Sequence, residues 1–460
     1  MVFVSGCTLH KASWIESTDG TYWKKKCISL SHDTSIVADA VIDANNRQQV
    51  INGFGACFNE LGWDALSKLD NKAMEEVLKN LFDTVSGLNL RICRMPIGAN
   101  DYARSWYSLD DSAGDFSMKH FSIARDQQTL IPYIKAAMKY NPGLKIWGSP
   151  WCPPAWMKTN GHYACRPDKV NDLRPEGEGM ENKTQFRMED PYLKAYALYF
   201  TKYVEAYRNE GIHVFAVNIQ NEPNSCQNFP SCVWTAKDLN TFTGKYLGPA
   251  MKEKFPDMQI WYGTIERPSV EKIDTVLQDP ESSRYVAGVA FQWAGKEAIA
   301  GVHSKYPAMK LMQSETECGD GSNDWKAAAY TYSLMQHYFD NGASIYSFWN
   351  PVLDETGKSQ WGWKQNSMIT INSATKKVVY NPEFYLLKHF SSFIQPGARK
   401  LAVSGAWKSL LAFGNPDHSI ILVVYNSSAN KQTPRFRIGN TTFSPSLAPE
   451  SFNTFVIPQP

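Results

Sequence analysis

No cysteine of this chain stands in a CxxC pair. The nine lie apart, at positions 7, 27, 57, 93, 152, 165, 226, 232 and 318, which excludes a zinc knuckle and a dithiol redox motif. Cys226 and Cys232 flank a short loop, where a disulfide and two free thiols are both open readings. No apolar run reaches the roughly eighteen residues of a membrane-spanning helix, so none is expected. Charge of one sign is scarce too: 47 Lys and Arg against 45 Asp and Glu leave a formal net charge of +2. Such a surface has no field with which to gather phosphate backbones, which argues against nucleic acid as a main partner. There is no internal repeat and no low-complexity tract. No cluster of ligating side chains suggests a metal, and no organic cofactor is expected.

Aromatic residues, in contrast, are abundant. Fifteen Trp, 22 Tyr and 23 Phe make up 13% of the 460 residues. Flat rings suit the C–H faces of sugars, but they also dominate ordinary cores, and composition alone favours the core. Length alone points to two or three units at about 150 residues each, unless a (β/α)8 barrel takes roughly 250 or more by itself. Near the start, Val4-Ser5-Gly6-Cys7 resembles a bacterial lipobox, whose Cys is acylated. The apolar stretch before it is shorter than a signal h-region. A lipid anchor at Cys7 and a secreted, periplasmic or cell-surface location are the corresponding expectations, with a monomer as the assembly.

Short β-rich apolar runs alternate with helix-length segments. Eight strands are expected: Val50–Phe58, Asn89–Pro96, Leu144–Pro150, His213–Gln220, Met258–Thr264, Tyr285–Trp293, Met309–Glu315 and Ala343–Asn350. Amphipathic stretches lie between them, among them Gln127–Lys139, Pro191–Asn209, Thr241–Lys254 and Asp324–Phe339. Alternation sustained eight times means parallel strands with helical crossovers. The fold class is therefore α/β: a (β/α)8 TIM barrel over residues 52–396 with an attached antiparallel β-sandwich. Residues 1–51 would lend strands to that sandwich, and 397–460 would form the rest. Period-2 runs such as Ser419–Tyr425 read as strands with one buried face. The connection from Trp151 to Asp190 lacks periodicity, and loops of that length are usually functional or mobile. It would wall a cleft at the strand ends.

Two carboxylates close apolar strands. The run Phe215–Gln220 breaks at Asn221-Glu222-Pro223, because Pro223 cannot continue a hydrogen-bond ladder. Glu222 then lies at the mouth of the fourth strand. Met309–Gln313 closes at Ser314-Glu315 on the seventh, with Glu317 as a weaker candidate two residues on. Three βα units apart, Glu222 and Glu315 face inward from opposite sides of the mouth. Glycoside hydrolysis needs such a pair, one protonated and one ionised.

Further motifs accompany them: Gly53-Phe54-Gly55-Ala56, Arg94-Met95-Pro96, Ser149-Pro150-Trp151, Lys158-Thr159-Asn160-Gly161, Phe348-Trp349-Asn350 and Gly397-Ala398-Arg399. In this order the chain resembles glycoside hydrolase family 30, whose members are retaining enzymes. The resemblance implies Glu222 as acid/base, Glu315 as nucleophile and Asn221 as partner of the sugar 2-hydroxyl. Arg94 would lie beside the nucleophile and Asp101 would bind hydroxyls on the far side of the buried sugar. Trp151, Trp293, Trp349 and Asn350 would complete the binding set. Taken singly, Arg94 could be a structural ion pair, Asp101 a turn residue, and Trp151 and Trp349 core packing.

The sequence departs from the lysosomal glucosylceramidase pattern at two places. Gln292-Trp293-Ala294 stands where those enzymes carry His-Trp-Tyr, and Thr316-Glu317-Cys318 where they carry Ala-Cys after the nucleophile. With Trp106, Tyr107, Trp361 and Trp363 in polar loops, the chain looks more like the β-1,6-glucanase branch. A β-linked glycan is the expected substrate. Glucosylceramidase, β-glucosidase or β-1,6-galactanase activity, and more remotely a non-catalytic glycan-binding protein, are the alternatives.

Overall fold

A computed structural model describes residues 11–33, 35 and 37–458, so the lipobox reading at Cys7 lies outside the described residues. Eight short strands run parallel in one sheet: β1 (Gly53–Ala56), β2 (Ile92–Pro96), β3 (Lys145–Ser149), β4 (Val214–Asn218), β5 (Gln259–Ile265), β6 (Val286–Gln292), β7 (Lys310–Glu315) and β8 (Ala343–Phe348). Each falls within or next to an expected apolar run, because strands covered on both faces need no polar alternation. The sheet nearly closes between β1 and β2, where Arg91 N–H donates to the Phe54 carbonyl and Phe58 N–H to the Arg94 carbonyl, both at 2.9 Å. Gly55 makes that approach possible: a Cβ there would sit 1.7 Å from the Ile92 carbonyl oxygen. The Gly-Phe-Gly-Ala motif is thus a closure device. Ile92, Trp147, Ala216, Trp261, Ala290, Met312 and Ile345, one from each strand from β2 to β8, form a separate apolar cluster in the sheet.

A second, nine-stranded and mostly antiparallel sheet takes Lys11–Thr18, Thr21–Ser29 and Ala40–Ile51 from one end of the chain and six strands after Gly397 from the other. Ala398 pairs with Ile51, so the chain enters and leaves the barrel side by side. The expectation of one buried face is corrected here. Along Leu410–Gly414 and Ile420–Asn426 the buried side chains alternate between two cores. Leu410, Ala412, Leu422 and Val424 belong to the sheet's own core, while Leu411, Phe413, Ile421 and Val423 join the barrel's. Both faces are covered because barrel helices pack on the second one. His389 marks that junction, its ring between the Ser17 and Thr454 hydroxyls at 2.9 Å each.

The Trp151–Asp190 connection contains only two short 3-10 turns, Ala155–Met157 and Pro175–Gly177. It is nevertheless firmly tied. The fully buried Lys158 donates to the carbonyls of Tyr163, Ala164 and Ser231 at 3.1, 3.1 and 2.7 Å. The Asn160 amide reaches the Ala164 and Gly177 carbonyls at 3.0 and 3.1 Å. The Lys-Thr-Asn-Gly motif therefore shapes this loop from inside. Cys226 and Cys232 are free thiols, which settles the open reading against a bridge. Cys226 turns towards the Gly179 carbonyl, 3.4 Å away, and Cys232 is buried. Among the described residues, no helix is long and apolar enough to cross a membrane.

Candidate active site

Because parallel strands of a barrel all end at one rim, their last residues converge there. β2 brings Arg94, the turn after β4 brings Asn221 and Glu222, β6 ends on Gln292 and β7 on Glu315. Glu222 has φ 46° and Trp293 φ 47°, both in the left-handed region. Non-glycine residues stay there only where their surroundings hold them. Around Glu222 that hold is tight. Asn221 N–H donates to the Pro150 carbonyl at 2.7 Å, and Glu222 N–H to the Thr264 carbonyl at 3.2 Å.

One buried amide joins the two glutamates. Gln292 Nε2 lies 3.0 Å from Glu222 Oε1 and 3.3 Å from Glu315 Oε2. These oxygens can be no farther apart than the two bonds laid end to end. Gln292 Oε1 in turn accepts the Ser314 hydroxyl at 2.9 Å, which fixes the amide's orientation. Arg94, fully buried, places Nη1 2.7 Å from Glu315 Oε2 and Nη2 2.6 Å from Asn221 Oδ1. Asn221 Oδ1 also accepts Thr264 Oγ1 at 3.0 Å, leaving the Asn221 NH2 group free to donate into the cleft. Trp293 Nε1 donates to Glu315 Oε1 at 3.2 Å.

Burial pushes the proton affinity of both glutamates up, Arg94 opposes this on both, and the charge of Glu222 raises Glu315 further. A close pair of this kind holds one negative charge rather than two. The Arg94 ion pair and the indole N–H put that charge on Glu315. Glu222, with fewer donors, keeps the proton.

The cleft is about 320 Å³, and Asp101, Trp151, Asn221, Glu222, Trp293 and Glu315 all line it. Asp101 is buried with one oxygen unpartnered. Desolvation raises its carboxyl to about 7, and such an oxygen suits a sugar hydroxyl. Trp349 and Asn350 stand behind the cleft instead. Trp349 packs on Trp151 at 5.4 Å, and both its indole N–H and the Asn350 amide hold Gln365 Oε1, at 2.8 and 3.0 Å. Arg94 is likewise a support beneath the wall, 4.2 Å from the Trp151 ring centroid. Glu317 points elsewhere, to Lys296 Nζ at 2.8 Å and the Tyr330 hydroxyl at 2.7 Å.

Sequence reasoning gave no role to Gln292, Gln365, Ser225, Glu266 and Arg267. Gln292 could have been found, since it closes β6 next to Trp293 and differs from the glucosylceramidase pattern. Gln365 has no such signal, lying in an irregular loop after Trp361 and Trp363. A larger groove of about 790 Å³ between the helices Asp190–Asn209 and Gly248–Lys254 contains none of the expected site residues.

Residues 51–394 match the glycosyl hydrolase family 30 TIM-barrel domain, and residues 397–455 the family 30 beta sandwich domain. Among curated proteins, the chain is 29% identical to the endo-1,6-beta-D-glucanase neg1 of Aspergillus fumigatus, over 90% of this chain and 86% of that one. It is 27% identical to the lysosomal acid glucosylceramidase of Mus musculus, over 84% and 77%. Among solved structures it is similar to SrfJ from Salmonella typhimurium, with a TM-score of 0.87 and 26% identity, covering 98% of this chain and all of that one. With both halves matched in order, the chain belongs to glycosyl hydrolase family 30 and is a glycoside hydrolase.

Proposed function

We propose that this protein is a retaining β-glycosidase that cleaves β-1,6-linked glucan by double displacement. Glu315 attacks the anomeric carbon while Glu222 gives its proton to the departing oxygen, and a covalent glycosyl-enzyme results. Glu222 then takes a proton from the water that releases the sugar, and Glu315 regains its charge. The observation that carries this reading is the Gln292 bridge. It keeps the carboxyl oxygens closer than the roughly 6.5 Å at which inverting geometry begins, and compatible with the ~5–5.5 Å of retaining enzymes. Loss of the Glu315 charge on glycosylation lowers the proton affinity of Glu222, which suits its change from acid to base.

The linkage reading rests on the lining of the cleft. Ser225, Gln227, Glu266 and Arg267 line it with polar groups, and Phe229 and the half-exposed Trp363 add rings. Hydroxyls and stacked sugar faces suit such a wall, whereas an acyl chain would desolvate it without compensation. Ala294 leaves room for a chain that bends away through an exocyclic carbon. Reducing-sugar release from a glycan panel, with NMR of the first-formed anomer, is the test. We expect clear activity with retention on a β-1,6-glucan such as pustulan, and little on β-1,3-glucan, β-1,4-glucan or glucosylceramide. Inversion would defeat the mechanism. Comparable rates on glucosylceramide, or preference for a β-1,6-galactan, would defeat the substrate.

A further inference from the structure

A fourth carboxyl residue, Glu266, borders the cleft with Glu222, Glu315 and Asp101, and the double displacement leaves it idle. It follows directly on β5 and is 1% exposed. Its Oε1 accepts the Asn224 backbone N–H at 2.8 Å and the Ser225 hydroxyl at 3.1 Å. Asn224 Nδ2 approaches Oε2 at 3.4 Å. These partners are the second and third residues after Glu222, whose own N–H is held by the Thr264 carbonyl of the same strand. The end of β5 therefore grips the strained turn on both sides of Glu222. The Ser225 hydroxyl that donates to Glu266 also favours the ionised form of Glu222.

We propose that Glu266 is a positioning residue for the acid/base step, acting on Glu222 through the Asn224–Ser225 turn. The inference rests on the assignment of Glu222 as acid/base in the proposed mechanism.

The charges around the two groups set the sign of its electrostatic effect. Glu266 faces Glu222, the Arg267 guanidinium at 3.8 Å and Tyr262 of β5, with Lys272 behind Asn224 Oδ1 at 2.6 Å. Glu222 faces Arg94 and Arg267, with Glu315 and Asp101 nearby. Burial first, then the charge of Glu222, raises Glu266 to about 7. The repulsion is mutual: a charge on Glu266 works against the two arginines and holds the proton on Glu222 to higher pH. Removing that charge lets Glu222 ionise at lower pH.

The experiment compares wild type, Glu266→Ala and Glu266→Gln on phenyl and 2,4-dinitrophenyl β-glucosides and β-gentiobiosides. The kcat/KM reports the first displacement, and dinitrophenolate departs without a proton. For Glu266→Ala we expect a fall of about 100-fold on the phenyl glycosides and less than about three-fold on the dinitrophenyl ones. Glu266→Gln retains an acceptor for Asn224 and Ser225, so it should keep most of the phenyl rate while its basic limb moves to lower pH. Equal loss on both leaving groups in a folded Glu266→Ala variant would overturn the proposal. If that variant does not fold, an unmoved basic limb in Glu266→Gln overturns it instead. Wild type inactive on every one of these glycosides would overturn the functional reading and take this inference with it.

Discussion

Arg94 and Glu315 form a 2.7 Å ion pair in which the arginine side chain is fully shielded and the carboxylate 7% exposed. Desolvating two charges this thoroughly is weak as a source of stability. Its value lies in direction. One guanidinium nitrogen holds Glu315 ionised while the other turns the Asn221 amide towards the cleft. Arg94→Lys keeps the charge but cannot span both partners. We expect kcat/KM to fall at least about 100-fold with the fold retained, since the group acts on developing charge rather than on packing. Steady-state kinetics beside a thermal melt would check this, and near-wild-type kcat/KM would contradict it.

Glu315→Gln should abolish turnover of natural glycan, and azide should restore some activity on an activated substrate by attacking the exposed anomeric carbon. Glu317→Gln should keep substantial activity, because Glu317 is spent on Lys296 and Tyr330. Its path to the site is indirect: Lys296 Nζ reaches the Trp293 carbonyl at 3.4 Å, and Trp293 reaches Glu315. A fluoro-sugar inhibitor trapped on Glu317, read by peptide mass spectrometry, would reverse the assignment.

Glu222 is raised by burial, so the basic limb of kcat/KM should lie above the ordinary glutamate value of about 4.3. In Glu315→Gln the neighbouring negative charge is gone and Arg94 is left unpaired. Both changes favour the ionised form of Glu222 and lower its proton affinity. A carboxyl-carbon NMR titration of the variant against Glu222→Gln/Glu315→Gln would report it. A Glu222 titration unchanged or moved upward would contradict the charge arrangement.

His389 bears on stability rather than turnover. Burial, helped by Lys388, lowers its ring to about 3 in the folded protein. The unfolded chain binds a proton near 6.5, so between those values unfolding takes up a proton and stability drops as the pH falls. The slope approaches ~1.4 kcal/mol per pH unit for this one group. Urea titrations from pH 7 down to pH 4.5 should show a shallower decline in His389→Gln than in wild type. Identical slopes would mean that the ring is not held neutral between Ser17 and Thr454.

Much of the frame was legible in the residues. Parallel strands covered on both faces must be short and apolar, so all eight could be read without knowing their neighbours. The Thr241–Lys254 helix was read too short: the helical segment begins at Ala236, and a π turn over Thr243–Leu247 interrupts the apolar periodicity. The one-faced reading of Ser419–Tyr425 failed for a different reason. A strand's pattern shows which side chains are apolar, but not that a helix from another domain covers its second face.

What the sequence by itself determined is the order of the elements and the positions of Glu222 and Glu315 at strand ends. Pro223 and the apolar runs before both glutamates are local signals, written within a few residues. The family resemblance put Arg94 beside Glu315, but only the tertiary structure decided what else those glutamates meet. Arg94 and Gln292 lie 198 positions apart, and Arg94 and Glu315 lie 221 apart. Barrel closure brings them within hydrogen-bond reach, because parallel strands in a closed ring aim their ends at one point. No spacing along the chain encodes that convergence, and with it came the Gln292 bridge, the Gln365 support and the grip of Glu266 on the acid/base turn.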